Sequence, residues 1–161
     1  MNRKQYNHAV KTYSGQIYRY ARKFLRDDVV ADDIVQDVFL KLWDHRKRVD
    51  ATKVRAWLFR TAHNHLINHA KRESRQEPMD TARHDPGHTA GHRYELQDLL
   101  EKYLALLPPI QKSILLLRDL EGYNYKEIGE MLNLSDSQVK VYLYRARQRM
   151  KEQLKGILEL R

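Results

Sequence analysis

The sequence predicts an all-α protein: two small helical domains, residues 1–72 and 95–161, joined by a flexible linker at 73–94. Three observations carry this. Apolar residues recur at three- and four-residue intervals through most of the chain. The period is lost in one place, "ESRQEPMDTARHDPGHTAGHRY", where Pro78, Pro86, Gly87 and Gly91 sit among polar residues. No stretch alternates convincingly as a strand.

Taken in order, Tyr6, Val10, Tyr13, Ile17, Tyr20, Ala21 and Phe24 mark a first helix over about residues 3–25. Ile34, Val35, Val38, Phe39, Leu42 and Trp43 form a wide stripe on a second, 29–45. Val54, Trp57, Leu58, Ala62 and Leu66 mark a third, 53–72, and the three together can bury a small core. His84, His88 and His92 have a spacing that aligns metal ligands on a helix, but Pro86 and Gly87 oppose a helix there, so the segment reads as solvated linker. Periodicity resumes with Leu96, Leu99, Leu100, Tyr103, Leu104 and Leu107. Pro108-Pro109 stops that helix, Ile110 to Leu120 forms the next, and Gly122 suits its C-terminal cap.

The stretch "NYKEIGEMLNLSDSQVKVYLYRARQRMK" reads as a short helix, a three-residue turn and a longer helix. Asn124 with Glu127 and Ser135 with Gln138 have the spacing of capping boxes. Asn133 tolerates the left-handed conformation that ends a helix, and Gly129 permits a close crossing. Ile128, Leu132 and Leu134 are expected to pack on Val139, Leu143, Ala146 and Met150, one face of the second helix. The other face presents Ser137, Gln138, Lys140, Val141, Tyr144, Arg145 and Gln148, which suit base edges in a major groove. Arg147, Arg149 and Lys151 suit phosphates. The unit is a helix-turn-helix with its recognition helix second; the plainer alternative is an amphipathic surface helix with a solvated charged face.

Charge placement supports the nucleic-acid reading. The 161-residue chain carries a formal net charge of +9. Residues 3–26 hold seven Lys/Arg and no acid, and residues 27–37 hold five Asp and no base. Residues 41–72 hold nine Lys/Arg against Asp44 and Asp50, and residues 140–155 hold six against Glu152. Two basic blocks imply two anion-binding surfaces; the aspartate patch implies another partner. Without cysteine, disulfide and thiolate chemistry are excluded. No HExxH or glycine-rich phosphate loop is present, so neither an enzyme with a small-molecule substrate nor a cofactor is expected. His65 and His69 have metal spacing without an evident third ligand, so no metal is expected. With neither an apolar signal segment nor an apolar run of membrane-spanning length, a soluble cytoplasmic protein is the expectation.

At this point the chain resembles a known family. "LLPPIQKSILLLRDLEGYNYKEIGEMLNLSDSQVKVYLYRARQRM" resembles region four of bacterial sigma factors. "DDIVQDVFLKLWDHR" resembles region two where it docks on the polymerase clamp, and "VRAWLFRTAHNHLINHAKRE" resembles the segment that recognises and opens the −10 element. With only these regions and a short linker, the match is to the extracytoplasmic-function (ECF, group IV) sigma factors of the sigma-70 family. The resemblance implies a factor that binds bacterial core RNA polymerase and promoter DNA, with an anti-sigma factor as regulator. It places Asp33, Gln36, Asp37 and Leu40 on the polymerase, where a plainer role for Asp32 and Asp33 is to complement a helix N-terminus. It places the loop residues Arg46, Lys47, Arg48 and Lys53 and the helix face Arg60, Asn64, Asn68 and Lys71 on the −10 strand. Trp57 and Phe59 are candidate stacking groups there, core packing being the alternative for Trp57. It places Ser137, Gln138, Lys140, Val141, Tyr144, Arg145, Arg147 and Lys151 on the −35 element. Val141 and Tyr142 stand where the family often has Ser and Arg, and Lys112 where it usually has Arg.

A flexible 22-residue linker spans about 25 Å, whereas two promoter elements nearly two helical turns apart lie on the order of 60 Å from each other. Polymerase must therefore hold the linker stretched, and the domains alone are not expected in promoter-ready positions. A stand-alone helix-turn-helix regulator is the alternative, but it would use a dimer and a palindromic site, and no dimer helix is evident.

Overall fold

The computed structural model describes residues 1–76 and 92–159. Helix α1 (Arg3–Leu25) opens on a cap: the Asn2 side chain accepts from the Gln5 amide at 2.8 Å while the Gln5 side chain accepts from the Asn2 amide at 2.9 Å. It closes at Arg26, which adopts the left-handed conformation at φ 57°, where glycine or asparagine is the usual occupant. Helix α2 (Asp28–Asp44) is capped by Asp27, whose carboxylate accepts from the Val29 and Val30 amides at 3.0 and 3.1 Å. Asp32 and Asp33 lie past the first turn, so the helix-terminus role expected of them falls to Asp27 and Asp28. A 3₁₀ turn, Ala51–Lys53, leads into α3 (Val54–Gln76), and α4 (His92–Ala105) begins the second half. His84 and His88 fall outside the described residues.

Pro109 takes the first position of α5 (Pro109–Leu115), where its missing N–H costs nothing. The helix then widens into a π turn, Leu116–Leu120, with the Glu121 amide bonded to the Leu116 carbonyl at 3.0 Å. Gly122 ends it at φ 78°, a conformation that favours glycine. Helices α6 (Tyr125–Leu132) and α7 (Asp136–Glu159) follow.

Helices α1, α2 and α3 bury Ile17, Tyr20, Phe24, Val38, Leu42, Leu58, Phe59 and Leu66. The second half buries Ile114, Leu117, Ile128, Met131, Val139, Leu143 and Ala146, each large apolar side chain being worth roughly 1.5–3 kcal/mol. The two cores form one continuous cluster. Phe59 joins them, its ring 5.4 Å from Tyr123 and 5.7 Å from Tyr20. Phe59 is 0% exposed, so the expected stacking role fails for it: the ring lies inside the core.

A polar seam crosses the same junction. Tyr20 Oη lies 2.7 Å from Ser113 Oγ and 3.1 Å from His63 Nδ1, and His63 Nδ1 lies 2.8 Å from Ser113 Oγ. Burial raises the Tyr20 phenol and pushes the His63 imidazole down to about 4. Beside them Lys112 donates to the Phe24 carbonyl at 3.1 Å with its ammonium 4.0 Å from the Phe24 ring, and burial pushes it down to about 8.

Candidate nucleic-acid and polymerase interfaces

Local chemistry fixes the α6–turn–α7 unit. The Asn124 side chain accepts from the Glu127 amide at 2.8 Å and Glu127 accepts from the Asn124 amide at 2.9 Å. Ser135 accepts from the Gln138 amide at 3.2 Å and Gln138 accepts from the Ser135 amide at 2.9 Å. Both expected capping boxes are therefore formed. Asn133 is left-handed at φ 59° and lets the chain turn between the helices. A Cβ on Gly129 would stand 2.5 Å from the Leu134 carbonyl oxygen, so the close approach is to the turn's backbone rather than to α7.

On α7, Val139, Leu143 and Ala146 are buried, and Met150 is half-buried. The opposite face exposes Ser137, Gln138, Lys140, Arg145, Arg149 and Lys151, with Val141 45% and Tyr144 64% exposed. Large side chains left out in this way present amide, ammonium, guanidinium, phenol and methyl groups together, the chemistry of base edges and phosphates. Gln138 has its carbonyl oxygen tied to its own cap. Arg147 makes two bonds to Asp119, at 2.5 and 3.3 Å, so its charge is already matched within the protein. Gln148 is half-buried.

Arg60, Asn64, Asn68 and Lys71 are exposed on α3, as are Lys47, Arg48 and Lys53 in the preceding loop. Arg46 differs: its guanidinium lies 3.8 Å over the Trp43 ring and donates to the Trp43 carbonyl at 2.8 Å. Trp57 is half-buried, its ring 6.1 Å from His45. Arg48, Lys53, Trp57 and Arg60 line one wall of a cleft of about 700 Å³ whose other wall is the α6–α7 turn. On α2, Asp33, Gln36 and Asp37 are exposed and Leu40 is 62% exposed, while Ile34, Val38 and Phe39 on the opposite side are buried. His65 is half-buried, with its imidazole pushed down by burial, and among the described residues no three His or acidic groups gather as a metal site.

Sequence reasoning missed the groups that tie the halves together. Arg19 pairs with Glu121 and Lys23 with Glu101 at 2.8 Å each; Arg26 pairs with Asp98 at 2.8 Å and Arg55 with Glu127 at 2.5 Å. Arg60 donates to the Glu130 carbonyl. The signal present in sequence was the acid-free basic run of α1, to which no partner was assigned.

Comparison with known families matches residues 9–76 to "Sigma-70 region 2" and residues 97–150 to "Sigma-70, region 4". The chain is 33% identical over 141 residues to the RNA polymerase sigma factor HrpL of Pseudomonas syringae pv. syringae, covering 80% of this chain and 74% of that protein. It is 28% identical over 144 residues to the ECF RNA polymerase sigma factor SigM of Bacillus subtilis (strain 168), covering 86% and 88%. Among solved structures, the sigma factor RpoE from Bartonella quintana, in complex with the anti-sigma factor NepR, shares the fold with a TM-score of 0.75 at 21% identity, covering 94% of this chain and 98% of that one.

Proposed function

The chain belongs to the ECF group of the sigma-70 family, RNA polymerase sigma factors that direct promoter-specific initiation, and from that premise we propose which of its faces does what. Asp33, Gln36, Asp37 and Leu40 on α2 dock on core polymerase. Lys47, Arg48 and Lys53, with Arg60, Asn64, Asn68 and Lys71 on α3, receive the −10 strand. Ser137, Lys140, Val141, Tyr144, Arg145 and Lys151 on α7 meet the −35 duplex, with Gln138 and Arg147 contributing less because each is engaged within the protein. The factor performs no covalent chemistry, acts in the cytoplasm and is held by an anti-sigma factor.

The observation that carries the division of labour is the α2 face. An exposed leucine beside two carboxylates and an amide, on a helix whose other side is buried, is a face that DNA contact does not account for, since its charge repels phosphate. It is the chemistry of a protein-docking surface with an apolar centre and a charged rim. Run-off transcription from genomic DNA with core polymerase tests this: specific initiation should depend on the added chain, and Asp37→Lys should lose most competition for core while keeping its helical circular dichroism. Undiminished competition by that variant would move polymerase docking off this face.

A further inference from the structure

We propose that Asp119 is a specificity-determining residue for the −35 element: it holds Arg147 so that the guanidinium serves only a phosphate brought to it by a correctly read sequence. This rests on the assignment of the outward face of α7 to the −35 duplex. Lys140, Tyr144, Arg147 and Lys151 follow one another at intervals of four, three and four residues, which puts them on one edge of the helix. Left to themselves, three cations along one edge make a rail that attracts any nucleic-acid backbone, whatever its sequence. Asp119 interrupts that rail in the middle.

Asp119 reaches α7 from the π turn, a wide turn of a kind that gathers at functional sites. Its carboxylate takes one edge of the guanidinium: Nη2 donates to Oδ1 at 2.5 Å and Nε to Oδ2 at 3.3 Å. Two parallel contacts fix the plane of the fork, as one contact would not. Nη1 has no partner among the described residues, so the far edge of the fork is still a donor, now aimed rather than swinging. The pair is no brace for the fold. The Arg147 and Asp119 side chains are 51% and 45% exposed, and an ion pair so open to water adds little to stability.

Beside the pair lies a recess of about 310 Å³ lined by Tyr125, Lys140, Tyr144, Arg147, Gln148 and Lys151, with room for one phosphate. On a duplex without the −35 sequence, charge alone holds the chain, and it slides through many registers. The carboxylate subtracts one cation from each of them and repels every passing phosphate. On the −35 element, Ser137, Val141 and Arg145 fix a single register through base edges. There the aimed edge of Arg147 meets the phosphate at the recess, and that charge-assisted bond offsets the repulsion. Asp119 thus weakens binding everywhere except at the matched site, and specificity is that difference in affinity.

The test uses holoenzyme, assembled from core polymerase and the full-length chain, on two fluorescein-labelled duplexes that end upstream of the −10 element. One carries the −35 sequence of a promoter found by run-off, the other a scramble of it. Asp119→Asn keeps the shape of the side chain and removes its charge. It should bind the scrambled duplex about threefold tighter, with a salt slope steeper by about one, and change by less than about twofold on the matched duplex. Asp119→Glu, which can still pair, should stay near the parent on both. Arg147→Ala should weaken the matched duplex more than the scrambled one, and in that background Asp119→Asn should shift the two duplexes alike. A loss of selectivity of the same size with and without Arg147 would overturn the proposal, because Asp119 would then not act through the guanidinium. Equal changes on the two duplexes in Asp119→Asn itself would also overturn it, since a structural or uniformly electrostatic role gives that result. Lys151→Ala and Arg145→Ala separate the proposal from the reading beneath it. If they weaken binding while Asp119→Asn leaves both duplexes at the parent level, α7 reads the element and only the role of Asp119 falls. If neither changes binding to either duplex, α7 is not the reader and both fall.

Discussion

His63 shows how one buried side chain makes stability depend on pH. Its imidazole is held at about 4 by burial, against an ordinary value of 6.5. Between those values the unfolded chain binds a proton that the folded chain refuses, so stability falls as pH drops through that window and is fully present above it. The expected loss between pH 7.5 and 5 is about 2 kcal/mol. Urea midpoints at the two pH values should show a clearly larger loss in the parent than in His63→Gln, whose remaining loss includes that of His65, also pushed down by burial. Gly129 makes a second residue-scale case. Alanine there gains helix propensity, but its methyl meets a carbonyl oxygen that the turn geometry fixes. Gly129→Ala should therefore destabilise by roughly 1–3 kcal/mol in urea titrations; a stabilised variant would mean that the turn relaxes freely.

At the scale of the element, α7 divides its labour along its length. Arg145 is exposed midway along the outward face and Lys151 at its end. If Arg145 is bidentate to a guanine, Arg145→Ala should cost about 1–3 kcal/mol and relax preference at one base pair. Lys151→Ala should weaken all promoters alike and lower the salt slope by about one. Affinity of the holoenzyme for single-base promoter variants across a salt series measures both. The elements were legible where a local rule governs them: Asn124, Asn133 and Ser135 announce caps and a left-handed turn through their own side chains. Arg26 and the π turn at Leu116–Leu120 were not, because tertiary packing rather than residue preference holds an arginine left-handed and widens a helix. Exposure of the α7 face followed from period, whereas the α2 face was singled out by the resemblance, beside a buried stripe that period marks. The engagement of Gln138 and Arg147 followed from neither, since the period places a side chain on a face without saying what neighbour occupies it.

At the scale of the molecule, the junction between the halves was the least legible feature. Tyr20 and Ser113 are separated by 93 residues, and His63 and Ser113 by 50; Tyr20 alone reads as one more member of an apolar stripe, and His63 and Ser113 as ordinary polar interruptions of theirs. The promoter-level prediction belongs here, since it needs both halves and polymerase. Asn64→Ala should leave polymerase binding and −35 contacts near the parent level yet reduce open-complex formation. A template with a pre-melted −10 bubble should recover part of that loss, because unpairing no longer has to be driven, while selectivity at one −10 base stays degraded. Permanganate footprinting on duplex and bubble templates reads both. Parent-like melting with unchanged base preference would make Asn64 structural.

The rim of ion pairs that ties the halves together has a single polarity, bases from the N-terminal half and acids from the C-terminal half, and this limits how the two halves can be exchanged. A chimera that joins residues 1–76 to the C-terminal half of a relative keeps the α2 and α3 faces, takes its α7 reader from the relative, and meets a foreign set of acids across the rim. Such hybrids lose charge matches that neither half carries alone, so the two halves are separable as folded cores and matched as a pair.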